Sequence, residues 1–230
     1  MDNWYRLFAA LMTTYVRLCI NEVVTLGHEN IIPGPKIIVG NHPNASDGLV
    51  LPSVIKEHLH FAAQAEIFTL PGLGMVFRKS GQLPVTVGEG KKFLKHAREQ
   101  LDKGEPVVIF PEGRLNMNNG LHRAGLGAAV LALQTGLPIL PLAFYVQDEY
   151  IRVIRSRFYG RSTIGGWQFG GKIYVNFGEA FHLEPIDLEA EESRATIRTY
   201  TDEIMLHIDQ LSEAAALYAS QGSSQPVGTT

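Results

Sequence analysis

The chain is poor in features that would assign it to several common classes of protein. Cys19 is its only cysteine, so no intramolecular disulfide can form and a reducing compartment is the simpler expectation. Its net charge of -3 lacks the excess of lysine and arginine on which nucleic-acid binding usually rests, so we expect no nucleic-acid partner. The motifs G-x-S-x-G, H-E-x-x-H and C-x-x-C are missing, which removes common signatures of serine hydrolases and zinc sites.

Long hydrophobic runs are also missing. Between Arg6 and Arg17 the apolar run LFAALMTTYV is shorter than the roughly 20 residues that a membrane-spanning helix needs. We therefore expect residues 1–24 to form a hydrophobic helix that lies at a membrane surface or packs on the protein's own core. With no cationic start or cleavage site of a secretory signal, the expected location is cytoplasmic, peripheral at the inner face of a membrane.

Short apolar runs alternate with helical segments along the rest of the chain. The strand-like runs cover 36–40, 60–64, 83–87, 106–110 and 138–146, and a further strand with its exit covers 172–183. Helices are predicted at 88–103 and 125–135, and a stripe of Ile197, Tyr200, Ile204, Ile208 and Leu211 predicts a long closing helix. The pattern predicts a single α/β domain over 25–216, with a mostly parallel central sheet flanked by helices.

Two segments fit neither a strand nor a helix. Residues 150–171 contain basic and aromatic side chains without a clean period, so their structure stays open. Residues 217–230 end in SQGSSQPVGTT and are predicted to form a disordered tail.

The segment VGNHPNASDG places a histidine and an aspartate just after the predicted strand 36–40. Because a regular helix would point His42 and Asp47 in different directions, a turn must lie between them. In that arrangement the Asp47 carboxylate accepts a hydrogen bond from one imidazole nitrogen and leaves the other free to take a proton. By spacing alone, a plain helix cap is the commoner explanation.

The segment VVIFPEGR runs from a strand directly into Glu112, Gly113 and Arg114. A carboxylate, a glycine and a guanidinium at a strand end can form a polar pocket in which backbone N–H groups face a ligand. Alone, this pattern is weak, and a surface ion pair between Glu112 and Arg114 would normally be the preferred explanation.

Taken in order, the two segments resemble the glycerolipid acyltransferase family, which includes lysophosphatidic acid acyltransferases. The N-H-x-x-x-x-D block is matched by Asn41, His42 and Asp47, and the F-P-E-G block by residues 110–113. A later strand with two prolines, LPILPLAF at 137–144, matches the closing block. The resemblance covers roughly residues 25–185.

The resemblance implies a mechanism and a set of partners. His42 would act as general base on a lipid hydroxyl, Asp47 would orient it, and Asn41, Glu112 and Gly113 would belong to the substrate site. The acyl donor would be acyl-CoA or an acyl carrier protein thioester, the acceptor a lysophospholipid or related lipid at a membrane surface, and no further cofactor or metal is expected. Backbone N–H groups around Gly113 are the candidates for stabilising the oxyanion.

One position departs from the family pattern. Val87 stands where the family's second block carries an arginine that contacts the acceptor's phosphate. Arg78, Lys79 or Arg114 would have to substitute for it, or the acceptor differs from lysophosphatidic acid.

Three alternatives compete with acyl transfer. Ser46 with His42 and Asp47 could form a thioester hydrolase, although adjacent Ser46 and Asp47 do not easily flank one imidazole. His58 and His60 could bind zinc, although a solvated loop explains them better. The chain could also be a non-catalytic lipid-binding or membrane-docking module of the same fold.

Overall fold

A computed structural model describes residues 2–118, 120–158 and 161–222. Within these ranges the helices are α1 (Asn3–Cys19), α2 (Asp47–Val54), α3 (Leu73–Lys79), α4 (Gly90–Leu101), α5 (Gly127–Thr135) and α6 (Ser193–Gly222). The strands are β1 (Glu22–Leu26), β2 (Ile37–Gly40), β3 (His60–Gln64), β4 (Leu83–Val85), β5 (Val107–Ile109), β6 (Ile139–Val146), β7 (Ile151–Phe158), β8 (Arg161–Gln168) and β9 (Lys172–Phe177). Short 3-10 turns cover His28–Asn30, Ala65–Thr69 and Asp148–Tyr150.

A seven-stranded sheet in the order β1-β9-β6-β2-β5-β3-β4 forms the centre of the protein. All neighbouring strands in it are parallel except β6 and β9, which run antiparallel. The carboxyl ends of β2, β5, β3 and β4 therefore meet at one edge of the sheet, where ligands of such folds usually bind.

Helices cover both faces of the sheet because the apolar side chains of its strands alternate between the faces. Ile38 points into the core shared with α1, α2 and α3, whereas Ile37 and Val39 point into the core shared with α4, α5 and α6. Near-continuous apolar runs such as KIIVG follow from burial on both faces. The predicted α/β class with a mostly parallel sheet is confirmed.

The predicted strands and helices lie where the hydrophobic pattern places them, with shorter ends. β4 stops at Val85 and α4 begins at Gly90, two residues inside the predicted limits at each point. The segment 150–171, which had no clean period, contains the antiparallel hairpin of β7 and β8 outside the main sheet.

The predicted domain limits need correction at both ends. The limit between residues 24 and 25 falls inside β1, which pairs with β9 from Glu22↔Lys172 to Leu26↔Asn176 and so belongs to the main sheet. The predicted tail from 217 is helical as far as Gly222, since α6 continues through it with Ala219 buried. Residues 223–230 lie outside the described residues.

Helix α1 packs on the protein's own core through one face. Tyr5, Phe8, Met12 and Val16 are buried there, and the Tyr5 hydroxyl donates to the Glu57 carbonyl at 2.8 Å. None of the helices in the part of the chain that the structure describes is both long and apolar enough to cross a bilayer.

Candidate active site

His42 and Asp47 meet across the turn that joins β2 to α2. His42 Nδ1 lies 3.2 Å from Asp47 Oδ2, and the same oxygen accepts the Asn44 backbone N–H at 2.7 Å. Since an ionised carboxylate only accepts hydrogen bonds, the Nδ1 proton points to Asp47 and the lone pair of a neutral ring lies on Nε2. The turn predicted from Asn and Pro between the two residues thus brings them together.

The Asp47 side chain is fully buried in the first turn of α2. Burial raises the pKa of its carboxyl above the ordinary value, and the hydrogen bond and charge of His42 offset part of that rise. Among the described residues, its second oxygen, Oδ1, has no hydrogen-bond partner. Both hydrogen bonds that stabilise the Asp47 carboxylate within the described ranges therefore go to Oδ2.

The His42 ring is held flat against Phe110, with centroids 4.3 Å apart and planes 7° from parallel. Its side chain keeps 22% of its surface exposed. No described residue hydrogen-bonds to Nε2, so this nitrogen is available to a proton on a bound molecule. The arrangement can perform general base chemistry at a surface-accessible point.

Glu112 ties the second block to the first. One of its carboxylate oxygens accepts the His42 backbone N–H at 3.0 Å and the Asn116 side-chain amide at 2.9 Å. The other accepts the His122 backbone N–H at 2.7 Å. With both oxygens engaged and 8% of its surface exposed, Glu112 positions His42 instead of facing a substrate as the resemblance implied.

The loop after Glu112 wraps around the His42 turn. The backbone N–H groups of Asn116 and Met117 donate to the carbonyls of His42 and Pro43 at 2.9 and 3.1 Å. Met117 and Asn118 have φ angles of 53° and 59°. Residues other than glycine adopt such left-handed backbone angles at a cost in conformational energy. That strain is held in place by the loop's bonds to the first block.

The hairpin strand β8 closes the other side of the turn. Gly166 accepts the Ala45 backbone N–H at 2.8 Å, and a Cβ added at Gly166 would lie 3.0 Å from Ile151 and 3.7 Å from Asn44. Ser46 Oγ accepts the Gln168 backbone N–H at 3.0 Å and lies 2.7 Å from the Tyr15 hydroxyl. A side chain at position 166 would require Ile151 of β7 to shift by a few tenths of an ångström and would just contact Asn44 in the turn.

Gly113 and Arg114 follow Glu112 on the exposed side of the site. Gly113 has a φ of 65° and an exposed backbone, which lets the chain turn sharply after β5. Its own N–H donates to the Phe110 carbonyl at 3.0 Å, and the suggestion that backbone N–H groups around Gly113 stabilise the oxyanion stays a prediction. Arg114 is exposed, and no side chain among the described residues pairs with it, so the alternative of a surface ion pair with Glu112 is not found.

Asn41 is a structural residue at this site. Its side chain donates to the Phe144 carbonyl at 2.9 Å and accepts the Phe144 N–H at 2.7 Å, which locks the exit of β2 to β6. With 3% of its surface exposed, its amide is not offered to a substrate.

Arg78 and Lys79 lie away from His42, so their expected place in the substrate site is corrected. They end α3 just before the amino end of β4, and they border the same surface depression as His60 and Glu105, which lie at the amino ends of β3 and β5. Arg78 also donates to the Phe68 carbonyl. Val87 is fully exposed beyond the carboxyl end of β4.

His58 and His60 do not form the solvated loop that the sequence suggested. His60 begins β3 with 1% of its surface exposed, and the side chain of His58 is 11% exposed. Glu105, which precedes β5, faces both rings.

Sequence reasoning missed the contacts of Asn44, Asn116 and Phe110 with His42 or Asp47, and the contact of Gly166 with the turn between those two residues. Phe110 belongs to the second block but carried no sign that it stacks on an imidazole. A run of small turn residues gives no signal for the other three, since asparagine and glycine occur in most loops.

A family model described as an acyltransferase matches residues 22–145. The chain belongs to the acyltransferase family. The matched segment runs from β1 into β6 and contains both the His42 turn and the Glu112 loop. Family membership confirms the resemblance drawn from the sequence blocks and the prediction that the protein is an acyltransferase enzyme.

Curated relatives of this acyltransferase include enzymes that act on different lysolipids. A 1-acyl-sn-glycerol-3-phosphate acyltransferase of Pseudomonas aeruginosa is 29% identical over 80% of this chain and 67% of its own. A lyso-ornithine lipid O-acyltransferase of the same species is 28% identical over 55% of this chain and 49% of its own. The chain spans about half the length of this second relative and of human 1-acyl-sn-glycerol-3-phosphate acyltransferase beta, which is 27% identical.

The acyltransferase PlsC of Thermotoga maritima, an LPA acyltransferase of known structure, shares the fold. The two structures align with a TM-score of 0.61 over 90% of this chain and 77% of that one, at 22% identity. This likeness supports the observed α/β architecture.

Proposed function

We propose that the protein transfers a fatty acyl group from an acyl-CoA or acyl carrier protein thioester to a hydroxyl of a lysophospholipid or related lysolipid. The observation that carries the proposal is the His42–Asp47 pair at the carboxyl end of β2, with Nε2 of His42 left free in a chain of the acyltransferase family. A hydroxyl is too weak an acid to attack a thioester unaided at neutral pH, so a base within reach of its proton is the central requirement.

In the proposed reaction His42 Nε2 removes the proton of the acceptor hydroxyl as its oxygen attacks the thioester carbonyl. The new C–O bond forms, the C–S bond breaks, and the proton held by the imidazolium goes to the departing thiolate. Asp47 stabilises the imidazolium during the step, and Glu112 holds the His42 backbone where the ring can reach the hydroxyl. No acyl-enzyme is required because the acceptor itself is the nucleophile.

A hydrolase built on Ser46 is a poor alternative. Ser46 is fully buried, and its hydroxyl is bonded to Tyr15 and to the Gln168 backbone. A nucleophile must reach its substrate, and this hydroxyl lies under α1 and β8. The burial of Ser46 therefore argues against a serine hydrolase. Hydrolysis would require water to replace the lipid hydroxyl as the acceptor at His42.

The test of the proposed function is transfer by the full chain from labelled donor to a panel of acceptors. Labelled acyl-CoA and labelled acyl carrier protein are offered separately, each with lysophosphatidic acid, lyso-ornithine lipid, monoacylglycerol or no lipid. We expect labelled two-chain lipid from at least one acceptor. Release of free fatty acid alone would indicate a hydrolase, and lysolipid binding without transfer would indicate a non-catalytic module.

Arg114 is proposed to hold the acceptor's anionic group. The residue is exposed next to Gly113, it has no partner among the described residues, and Val87 leaves the family's usual anchor vacant. A guanidinium grips a phosphate or carboxylate through two parallel hydrogen bonds, which an ammonium cannot reproduce. We expect Arg114→Lys to raise the acceptor's Michaelis constant by about tenfold, the equivalent of roughly 1.4 kcal/mol, and to leave the donor's constant unchanged.

Steady-state kinetics with each substrate varied in turn measure this separation. Arg78→Lys is the matched control, because Arg78 is also an exposed arginine but lies at the amino-end edge of the sheet. Unchanged acceptor kinetics in the Arg114 variant, or equal effects of the two substitutions, would exclude the anchor role.

We also propose that α1 docks the protein on a membrane surface. At about 100° per residue, Leu7, Leu11 and Leu18 fall within about 40° of one another on α1, on a side away from its buried face. Their side chains are 43%, 43% and 80% exposed. Arg6 and Arg17 are exposed on the same helix, where they can reach lipid headgroups while the leucines enter the apolar boundary.

Replacing the three leucines with serine should lower binding to phospholipid vesicles at least about tenfold, since burying a leucine contributes roughly 1.5–3 kcal/mol. Vesicle flotation is the measurement, and turnover of a water-soluble short-chain acceptor should stay within about twofold of the wild-type rate. Deleting residues 1–20 is a poor substitute because it also removes Tyr5 and Phe8 from the core.

The control for this test carries serine at Val87, Leu206 and Leu217, which are exposed apolar residues outside α1. It should float like the wild-type protein. Equal flotation of all three proteins would remove the membrane role from α1.

A further inference from the structure

A cluster of His58, His60 and Glu105 lies at the amino ends of β3 and β5, at the sheet edge opposite His42. His58 Nδ1 is 3.2 Å from one Glu105 carboxylate oxygen, and His60 Nε2 is 2.7 Å from the other. One potential ligand atom from each residue lies within 4.8 Å of the other two. The cluster opens onto a surface depression of about 320 Å³.

The second nitrogen of each ring faces a backbone carbonyl. His58 Nε2 is 3.0 Å from the Ser80 oxygen, and His60 Nδ1 is 2.6 Å from the Gly81 oxygen. Because a carbonyl oxygen only accepts, both of these nitrogens carry the proton. If both rings are neutral, the two nitrogens that face Glu105 therefore carry lone pairs. The ionised carboxylate also carries only lone pairs, so no proton lies between them to form a hydrogen bond.

A cation shared by the three groups resolves this conflict. A histidine that binds a metal ion usually donates its other ring N–H to a carbonyl or carboxylate, which fixes the tautomer and the ring orientation. Ser80 and Gly81 provide that partner for His58 and His60. Protons on both rings are the alternative, but they would charge two stacked rings whose centroids lie 4.5 Å apart.

We propose that His58 Nδ1, His60 Nε2 and a Glu105 oxygen bind one divalent cation of the zinc type. Two imidazoles and a carboxylate suit zinc, which completes a tetrahedron with a water molecule. Metal–ligand bonds of 2.0–2.2 Å place tetrahedral ligands about 3.3 Å apart. His58 already lies 3.2 Å from one Glu105 oxygen, whereas His60 lies 2.7 Å from the other and would have to move back from the carboxylate as the ion enters. Glu105, whose side chain is 32% exposed, is the ligand nearest to solvent and can adjust to an arriving ion.

The ion would join three connections of the chain, two of them through its ligands and the third through the Ser80 and Gly81 carbonyls that bind the two rings. They are the segment that leads into β3, the turn between α3 and β4, and the turn between α4 and β5. Tyr5 of α1 also packs on the His58 ring with centroids 4.0 Å apart, so the first helix is linked to the same cluster. We expect the ion to stabilise the fold, because a ligand bound only by the native state raises the free energy of unfolding.

Metal content of the full chain, purified without a histidine tag, tests the proposal. We expect about one zinc per chain by mass spectrometry of the metal, and a melting temperature that falls by about 5 °C after chelation and recovers with zinc. Glu105→Gln should abolish both effects. His58→Phe should do the same while keeping a ring against Tyr5.

His96→Phe and Glu99→Gln on α4 are the matched controls, and both should keep the zinc. The proposal is overturned if the wild-type chain neither retains zinc nor responds to added zinc, since protons then satisfy the two histidines. Zinc binding that survives in both Glu105→Gln and His58→Phe overturns it too. If those variants fail to fold, cobalt(II) in the wild-type chain decides: the strong visible absorption of a tetrahedral site supports the proposal, and its absence overturns it.

Discussion

His42→Ala should reduce acyl transfer by about a thousandfold or more while the protein stays folded. General base catalysis typically contributes 10²–10⁴ in rate, and no other base among the described residues pairs with a carboxylate at this edge of the sheet. The side chain is partly exposed at a strand exit, so its removal costs the ring contact with Phe110 and the hydrogen bond to buried Asp47, which keeps its bond from the Asn44 N–H. The rate should fall with both substrates saturating, because the loss lies in the chemical step.

His182→Ala is the control for this substitution, since His182 is an exposed histidine whose ring meets only the Gly136 carbonyl. Thermal melts of both variants establish that they are folded. A folded His42 variant with near-normal turnover would remove His42 from the mechanism and leave only the family resemblance in favour of the site.

The strands of the central sheet other than β1 could be predicted because burial on both faces produces runs of apolar residues, whereas β1 at the edge of the sheet is only partly buried and was missed. KIIVG and PVVIF are almost entirely apolar; Gly40 closes the first run and Pro111 follows the second. The meeting of His42 with Asp47 could be predicted for a related reason, since the residues between them favour a turn. For the buried strands the local pattern was sufficient, whereas for the pair it made the turn plausible and the resemblance of the ordered blocks decided between a pair and a plain helix cap.

Interactions between segments that are distant along the chain could not be predicted, because they leave no pattern in the local sequence. The hairpin of β7 and β8 covers the His42 turn through backbone bonds such as Ala45 to Gly166, which any pair of residues can make. Glu112 matched the expected block, yet its partners are backbone N–H groups that only the fold brings near it. Arg78 and Lys79 were assigned to the site by distance along the chain, and α3 carries them to the other edge of the sheet.

Asp47→Asn should lower acyl transfer by about a hundredfold or more by removing charge without removing the hydrogen bonds. Oδ2 accepts both the His42 ring and the Asn44 N–H, so an amide oxygen in its place can keep both contacts. What is lost is the negative charge that stabilises the imidazolium. Asp47→Ala also removes the hydrogen bond that orients the His42 ring, so its rate of acyl transfer should be lower still. The ratio of the two variants' rates measures the contribution of ring orientation.

The same substitution should leave the protein more stable at neutral pH. Burial raises the pKa of the Asp47 carboxyl above the value of about 3.9 that an unfolded chain gives it. Below that value both states hold the proton and the charge has no cost. As the pH rises from about 4 through the raised pKa, keeping the carboxyl ionised in the folded state costs stability, because the folded state binds the proton more tightly than the unfolded state does.

Melting temperatures of the wild-type and Asp47→Asn proteins across pH 4 to 8 test this sign. The two should coincide near pH 4, and the variant should melt higher as the pH rises. Comparing the two proteins at each pH removes the contribution of titrating groups that do not interact with Asp47, so the difference reports on Asp47 together with its partner His42. A variant that melts lower than the wild type at pH 8 would mean that the pair with His42 outweighs the cost of burial. In that case the charge at position 47 would serve stability as well as turnover, and the loss of activity could no longer be assigned to the imidazolium alone.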